Sequence, residues 1–299
     1  MSGEAIQGST AGVRSRSPGA FLSNPIGWWA TVLWVCVPRM GLSQTPSPLL
    51  EWQYSAGTTL QKLFEPTPEW RVMLGAATEI GPLYEGARSY RILAGPVINV
   101  RYRDIAFASV GEGIGANILR GDHYRAGIAV GYDFGRRVSD DYGHLHGLGD
   151  ISVAPFIKVF GAYAISRAFP LTLRADIRRI AGGADGTLAD LESYLPLPGS
   201  SETLVLFAGP SITFADRRYL QRVIGVSKSQ ASASGYPVFD AHAGLNAIGL
   251  GLSATRFINS RWLVNVDAAI NRLCGSARES PITQQDTQHV VALSVIYEW

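Results

Sequence analysis

The chain ends on QHVVALSVIYEW, Gln288 to Trp299. Taken in steps of two, one face carries His289, Val291, Leu293, Val295, Tyr297 and Trp299, and the other Gln288, Val290, Ala292, Ser294, Ile296 and Glu298. A period of two is that of an extended strand, whose side chains point alternately to opposite sides. The stretch matches the roughly 9–11 residues that a tilted strand needs to cross a bilayer, and it finishes on an aromatic ring. A last strand of this kind closes a transmembrane β-barrel by pairing with the first, which removes the edge that hydrocarbon does not tolerate.

Composition agrees without deciding. Of 299 residues, 17% are charged and 46% hydrophobic, with 33 glycines and 16 prolines. Past the N-terminal region no apolar run is long enough for a spanning helix. A barrel accounts for both facts, because its lipid face needs an apolar residue only at every second position. A soluble all-β protein with a filled core accounts for them almost as well. The formal charge of +2 offers no case for nucleic-acid binding. Cys36 and Cys274 allow at most one disulfide.

At the N-terminus, Arg14 and Arg16 precede IGWWATVLWVCV, Ile26 to Val37. A basic region followed by a short apolar core is the pattern of a secretory signal peptide. Residues 1–43 are therefore expected to be removed, with cleavage near Ser43–Gln44, and an uncleaved anchor is the alternative. Cys36 follows Trp34 and Val35, which argues against a lipid-attachment site. Residues 44–69 are rich in proline and read as a periplasmic lead-in. A strand at Trp52–Thr59 inside it stays open.

From Trp70 onward the alternation is regular. Trp70, Val72, Leu74 and Ala76 share a face; so do Ile92 to Tyr102 taken in twos, and Tyr124, Ala126, Ile128, Val130, Tyr132 and Phe134. Leu171 to Arg178 sets Leu171, Leu173, Ala175 and Ile177 against Thr172, Arg174, Asp176 and Arg178. Arg261 to Leu273 sets Trp262, Val264, Val266, Ala268 and Ile270 against Asn265, Asp267 and Asn271. In a soluble sandwich the polar stripes would face solvent; in a barrel they would face the lumen. Alternation does not separate the two cases. Aromatic placement favours the barrel, since Tyr124, Tyr132, Phe134, Trp262, Tyr297 and Trp299 lie near strand ends on the apolar face, as interface anchors do.

The remaining candidate strands are Ile105–Leu119, Ile151–Tyr163, Thr187–Leu195, Thr203–Phe214 and His242–Phe257. The last slips phase near Ala247, which suggests a bulge. The candidates number eleven, while termini on one side require an even count. Twelve strands are expected, ten being the alternative; either Ile105–Leu119 splits at Gly111, Gly113 and Gly115, or Trp52–Thr59 supplies the missing strand. Phe257 to Arg261 reads as a tight turn. Gly135–Gly149, Asp216–Tyr236 and Gly275–Thr287 are too long for hairpin turns. Residues 216–236 are expected to form a long loop or partial plug, with a short helix in Tyr219–Ser234.

Several strings go beyond pattern. They are Gly81-Pro82-Leu83-Tyr84-Glu85-Gly86, Tyr132-Asp133-Phe134-Gly135-Arg136, and Leu145-His146-Gly147-Leu148-Gly149-Asp150. The longest runs from Asp216-Arg217-Arg218-Tyr219 through Gly225-Val226-Ser227, with Gln230 and Ala231, to Ala233-Ser234-Gly235, followed by Arg272-Leu273 and Glu279-Ser280-Pro281-Ile282. In this order, over about residues 70–299, they resemble the MipA/OmpV family of outer-membrane proteins. The terminal Trp299 departs from the phenylalanine usual there. The resemblance implies a barrel in the outer membrane of a Gram-negative cell, in contact with lipid and lipopolysaccharide. For the family's named member it also implies scaffolding between a periplasmic lytic transglycosylase and a peptidoglycan synthase. The residues it marks as structural are Tyr84, Glu85, Gly86, Gly135, Arg136, Gly149, Asp150, Tyr219, Gly225, Val226, Ser227, Ser280, Pro281 and Trp299.

Catalytic chemistry finds little support. His144 and His146 with Asp140 or Asp141 offer metal-ligand types but no familiar spacing. Neither Ser227 nor Ser280 sits in a nucleophile elbow, and the Gly111–Gly115 run lacks a following helix pattern. No catalytic, cofactor or metal residue is assigned. Arg136, Arg137, Asp140 and Asp141 read as a solvated charged loop start, Tyr84 and Glu85 as ties between the first loop and the rim, and Asp150 as a pin for its turn. Three readings follow: a non-enzymatic scaffold touching envelope enzymes through periplasmic turns, a pore for ions or small solutes, and, least supported, an outer-membrane hydrolase.

Overall fold

The computed structural model describes residues 68–166, 169 and 171–299. The expected signal peptide, most of the lead-in and the open strand at Trp52–Thr59 lie outside these. Twelve strands are present: β1 (Trp70–Pro82), β2 (Tyr90–Tyr102), β3 (Ala106–Ser109), β4 (Gly113–Arg120), β5 (Tyr124–Asp133), β6 (Ala154–Ala164), β7 (Thr172–Ile180), β8 (Thr187–Pro196), β9 (Leu204–Ala215), β10 (Gly244–Phe257), β11 (Trp262–Leu273) and β12 (Thr287–Glu298). Each pairs antiparallel with its neighbours in sequence, and β12 pairs with β1 from Met73↔Glu298 to Ile80↔Val291, so the sheet closes. The twelfth strand comes from the split of Ile105–Leu119, where β3 and β4 flank a turn at Val110–Glu112. The slip near Ala247 is a register shift between Leu245 and Ala247 on the β9 side of β10.

Burial assigns the two faces. Leu173, Ile177, Trp262, Val266, Ile270, Val291, Leu293 and Val295 are exposed on the outer surface, where a bilayer would cover them. Asp176, Arg178, Asn265, Asp267, Asn271, Gln288 and Ser294 are buried on the inner one. Mid-barrel, Arg178 pairs with Asp190 at 3.2 Å, and the Thr213 hydroxyl donates to the same carboxylate at 2.6 Å. Arg101 pairs with Glu112, which Arg174 approaches at 3.9 Å. Charges removed from water in this way need such partners. Toward the chain termini the interior turns apolar. Met73, Ala77, Val97, Leu263 and Ile296 form one cluster, Ala164, Tyr194, Val205 and Phe207 another, and Phe257 packs against both.

The barrel ends differ. The end holding Trp70 and Trp299 carries the connections at 103–105, 121–123, 165–171, 197–203 and 258–261. Rings collect there: Tyr297 lies edge-on between Trp262 and Trp299, at 5.1 and 4.4 Å, and Trp70 meets Tyr102 at 4.7 Å. The opposite end carries the long connections. Residues 134–153 hold a 3-10 turn (Val138–Asp140) and α1 (Tyr142–Leu145); residues 216–243 hold α2 (Arg217–Val223) and α3 (Lys228–Ser234); residues 274–286 hold α4 (Gly275–Glu279).

Candidate functional site

Every residue marked from the family strings except Trp299 lies at the long-connection end, where the loops pack on one another as a cap. Local chemistry starts the cap. The Asp216 carboxylate accepts from the Tyr219 amide at 2.8 Å and begins α2. Ser227 and Gln230 form a capping box that begins α3, and Gly235, at φ +81°, ends it. Between the two helices, Val226 bridges Phe239 through two 2.9 Å backbone bonds. The expected single helix is thus two, broken at Ile224–Ser227.

Two apolar clusters tie the loops together. Tyr84, Ala87, Leu145, Leu148, Val226 and Ile282 join the connection at 83–89 to all three long ones. Tyr219, Leu220 and Val223 of α2, with Ile224 after it, pack beneath, on Ile151 and on Ile180, Leu188 and Leu273 at the strand ends. Burying side chains of this size contributes roughly 1.5–3 kcal/mol each, which short helices need, since they have little stability of their own.

Polar residues stitch the clusters. The Arg136 guanidinium is 3% exposed, donates to the Val223 carbonyl at 2.8 Å and lies 5.7 Å from the Tyr84 ring centre. This corrects the reading of Arg136 as part of a solvated loop start; only Arg137 beside it faces out. Glu85 is buried and accepts from Asn246 at 2.8 Å, so it sits beneath the cap and not at the rim. Burial pushes the Glu85 carboxyl up, partly offset by the Asn246 bond. Burial also lowers the Arg136 guanidinium, against the pull of Tyr84, Asp150 and Glu85, and raises the Tyr84 phenol to about 12. Tyr219 is raised well above its ordinary value, first by burial and then by Glu85.

The Ser280 hydroxyl donates to the Ile224 carbonyl at 2.6 Å, with Pro281 next in the turn. The Gly86 carbonyl accepts from the amides of Gln284 and Gln285 at 2.8 and 3.1 Å, and Gln284 also donates to the Tyr84 hydroxyl. Gly135, at φ +67°, sits where a Cβ would meet the Ile151 carbonyl oxygen at 2.0 Å. Gly149 takes φ +80°, and the Asp150 carboxylate after it accepts from the Val138 amide at 2.7 Å. Gly225 donates to the Leu220 carbonyl at 3.1 Å.

Two cap residues escaped sequence reasoning, Asn246 and Gln288, whereas Gln230 lies in the longest family string. Gln288 donates to the Ala87 carbonyl at 3.2 Å, and Gln230 to the Leu148 carbonyl. Asn246 and Gln288 are large polar residues on the inner face at strand ends, and that position was the available signal. The residues weighed for catalysis have structural contacts. His144 bonds Asp141 at 3.0 Å, His146 packs against Tyr142, Ser227 caps α3 and Ser280 holds Ile224.

A family model described as MltA-interacting protein MipA matches residues 74–299. No curated protein matches the chain. Among solved structures, the chain is similar to the NanC porin, at 7% identity and TM-score 0.37, covering 76% of this chain and 98% of that one. It is similar to OmpT of Vibrio cholerae at 9% identity and TM-score 0.37, covering 78% and 99%. It is also similar to OprD of Pseudomonas aeruginosa at 13% identity and TM-score 0.33, covering 75% and 59%.

Proposed function

The chain belongs to the family of the MltA-interacting protein MipA, and from that premise we propose that it is a non-enzymatic, non-conducting outer-membrane barrel that docks a periplasmic murein-remodelling enzyme. One observation carries the reading: packed or paired side chains cross the interior at successive levels from the cap to the terminus end. The cap covers the long-connection end, ion pairs cross the middle, and two apolar clusters joined through Phe257 fill the terminus end. Such an interior suits a rigid platform better than a conduit.

Short turns and both termini belong on the periplasmic side of outer-membrane barrels. The docking face is then the end with Trp70 and Trp299, whose exposed rim includes Arg103, Arg120, Arg256 and Arg261. The cap, where the family strings gather, faces outward and serves stability. A lytic transglycosylase is the first partner to test, with a peptidoglycan synthase as a second component.

The test places a photo-crosslinking residue at Asn259 in the short-turn face, or at Ser229 in the cap, in protein held in nanodiscs. Capture of purified lytic transglycosylase from Asn259 and not from Ser229 is expected. Capture from neither site, or from the cap alone, overturns the docking assignment. The mid-barrel Arg–Asp layer favours a second reading, an ion pore, and discrete conductance steps in planar bilayers would select it.

A further inference from the structure

The barrel wall is incomplete on one side. Strand β3 has 4 residues and β4 has 8, so the hairpin between β2 and β5 reaches only part of the way up. Pairing of β2 with β3 stops at Asn99↔Ser109, and pairing of β4 with β5 stops at Ile114↔Val130. Above these points, no described residue continues the ladder along Arg91–Val97 of β2 or Gly131–Asp133 of β5. Three strand spacings of about 4.8 Å separate the two edges. The exposed rings of Tyr90 and Tyr132 mark the upper interface, which puts the window at the depth of the outer leaflet.

The edge is adapted to being an edge. Val110 donates to the Ile98 carbonyl and Ile105 to the Tyr102 carbonyl, so even-numbered residues of β2 direct their backbone groups toward this side. Pro96 is one of them and has no amide to leave unpaired. The backbone of Ile92 and Ala94 still faces the window, and open backbone is tolerated at membrane depth only where it lines a cavity.

The inner face of the same edge runs Arg91, Leu93, Gly95, Val97, Asn99. A Cβ on Gly95 would meet nothing within 4 Å, so open space lies over it. At the top, the Arg91 guanidinium pairs through one nitrogen with Asp140 at 3.4 Å, while its Nε and Nη2 are buried without a hydrogen-bond partner. From Arg91 to Val97 the strand spans about 20 Å, the scale of a long hydrocarbon chain. The buried amide of Asn99 ends the apolar run.

We propose that the window between β2 and β5 is a lateral binding site for a single-chain anionic amphiphile, a free fatty acid, entering from the outer leaflet. Its carboxylate meets the unpaired donors of Arg91, and its chain lies over Leu93 and Gly95 and ends against the packed side chain of Val97. This site is separate from the docking face and does not depend on it.

The test uses palmitate carrying a mid-chain diazirine, with the wild-type protein in phospholipid vesicles. Irradiation is followed by mapping of the adducts by mass spectrometry. Any lipid bathing the barrel labels the outward residues Ile92, Ala94 and Pro96. Adducts on the inward residue Leu93 are expected in addition, from palmitate but not from a phospholipid bearing the same labelled chain. Gly95→Trp is expected to cut the inward adducts at least tenfold and leave the outward ones, with heat-modifiable mobility reporting folding. Outward-only labelling by palmitate means that the edge is sealed and overturns the proposal. Inward labelling by the phospholipid assigns the window to bulk lipid and overturns it too. Both readouts come from the wild-type protein and do not require the variant to fold.

Discussion

Replacing Arg136 with alanine should open the cap and spare the barrel. The guanidinium is 3% exposed and supplies the donor to the Val223 carbonyl, the last residue of α2, at 2.8 Å. A hydrogen bond from a charged donor contributes about 1.5–3 kcal/mol. Its place over the Tyr84 ring adds about 0.5–2 kcal/mol. Removing the cation relieves its own desolvation, which subtracts from these gains, yet it leaves the Val223 carbonyl buried and Glu85 without its nearby positive charge. A net loss of about 3 kcal/mol in local stability follows, within the range for breaking a buried polar pair. At about 1.4 kcal/mol per factor of ten, the open fraction of α2 rises roughly 10²-fold. Hydrogen exchange on protein in nanodiscs measures this directly: amides of Leu220 to Val223 should lose protection by about that factor, while those of β10 and β11 hold theirs. Less than a threefold change in α2 would refute the claim that Arg136 fastens the cap.

Glu85 gives the cap a pH dependence. Its folded carboxyl is raised by burial, so the native state holds the proton more tightly than the unfolded chain does. That contribution is complete below the ordinary carboxylate pKa and fades as pH rises through the folded value. The cap should therefore loosen from acid toward neutral pH, and Glu85→Gln should flatten the trend in limited proteolysis of residues 216–243. Gly135→Ala places a Cβ about 2.0 Å from the Ile151 carbonyl in a left-handed conformation; a loss of about 1–3 kcal/mol from backbone strain, plus the clash, should reduce the heat-modifiable folded band. Ser280→Ala removes the donor to the buried Ile224 carbonyl and should cost about 1–3 kcal/mol, seen as a lower thermal midpoint with the strand content retained.

Much of the barrel was legible because it is written locally. Each membrane-facing strand must alternate, and the inward stripes at Arg174–Arg178 and Asn265–Asn271 stand out because lipid forbids them on the other face. The split of β3 from β4 was legible from glycines that interrupt Ile105–Leu119. The cap was not legible as contacts, because its bonds join residues far apart in sequence. Glu85 and Asn246 are 161 residues apart, and Arg136 and Val223 are 87. Arg136 looked solvated because its neighbours Arg137, Asp140 and Asp141 are polar, whereas its burial is set by α2 arriving from a distant loop. The family strings fall in this region, but nothing in them says that their residues would meet.

The seam between β1 and β12 sets an order of assembly. Its partners are the first and last of the twelve strands, so a nascent barrel stays an open ribbon until β12 arrives. The same seam is spanned by the cap, where Gln284 and Gln285 bind the Gly86 carbonyl and Gln288 binds that of Ala87. These contacts close loops of about 200 residues, and each separately would carry a closure cost that grows with the logarithm of loop length. Once the seam has zipped, the cost has been met and the glutamines fasten at little further entropy. The cap thus acts as a latch that engages only on a finished barrel, and a stalled or truncated chain is left both unzipped and unlatched.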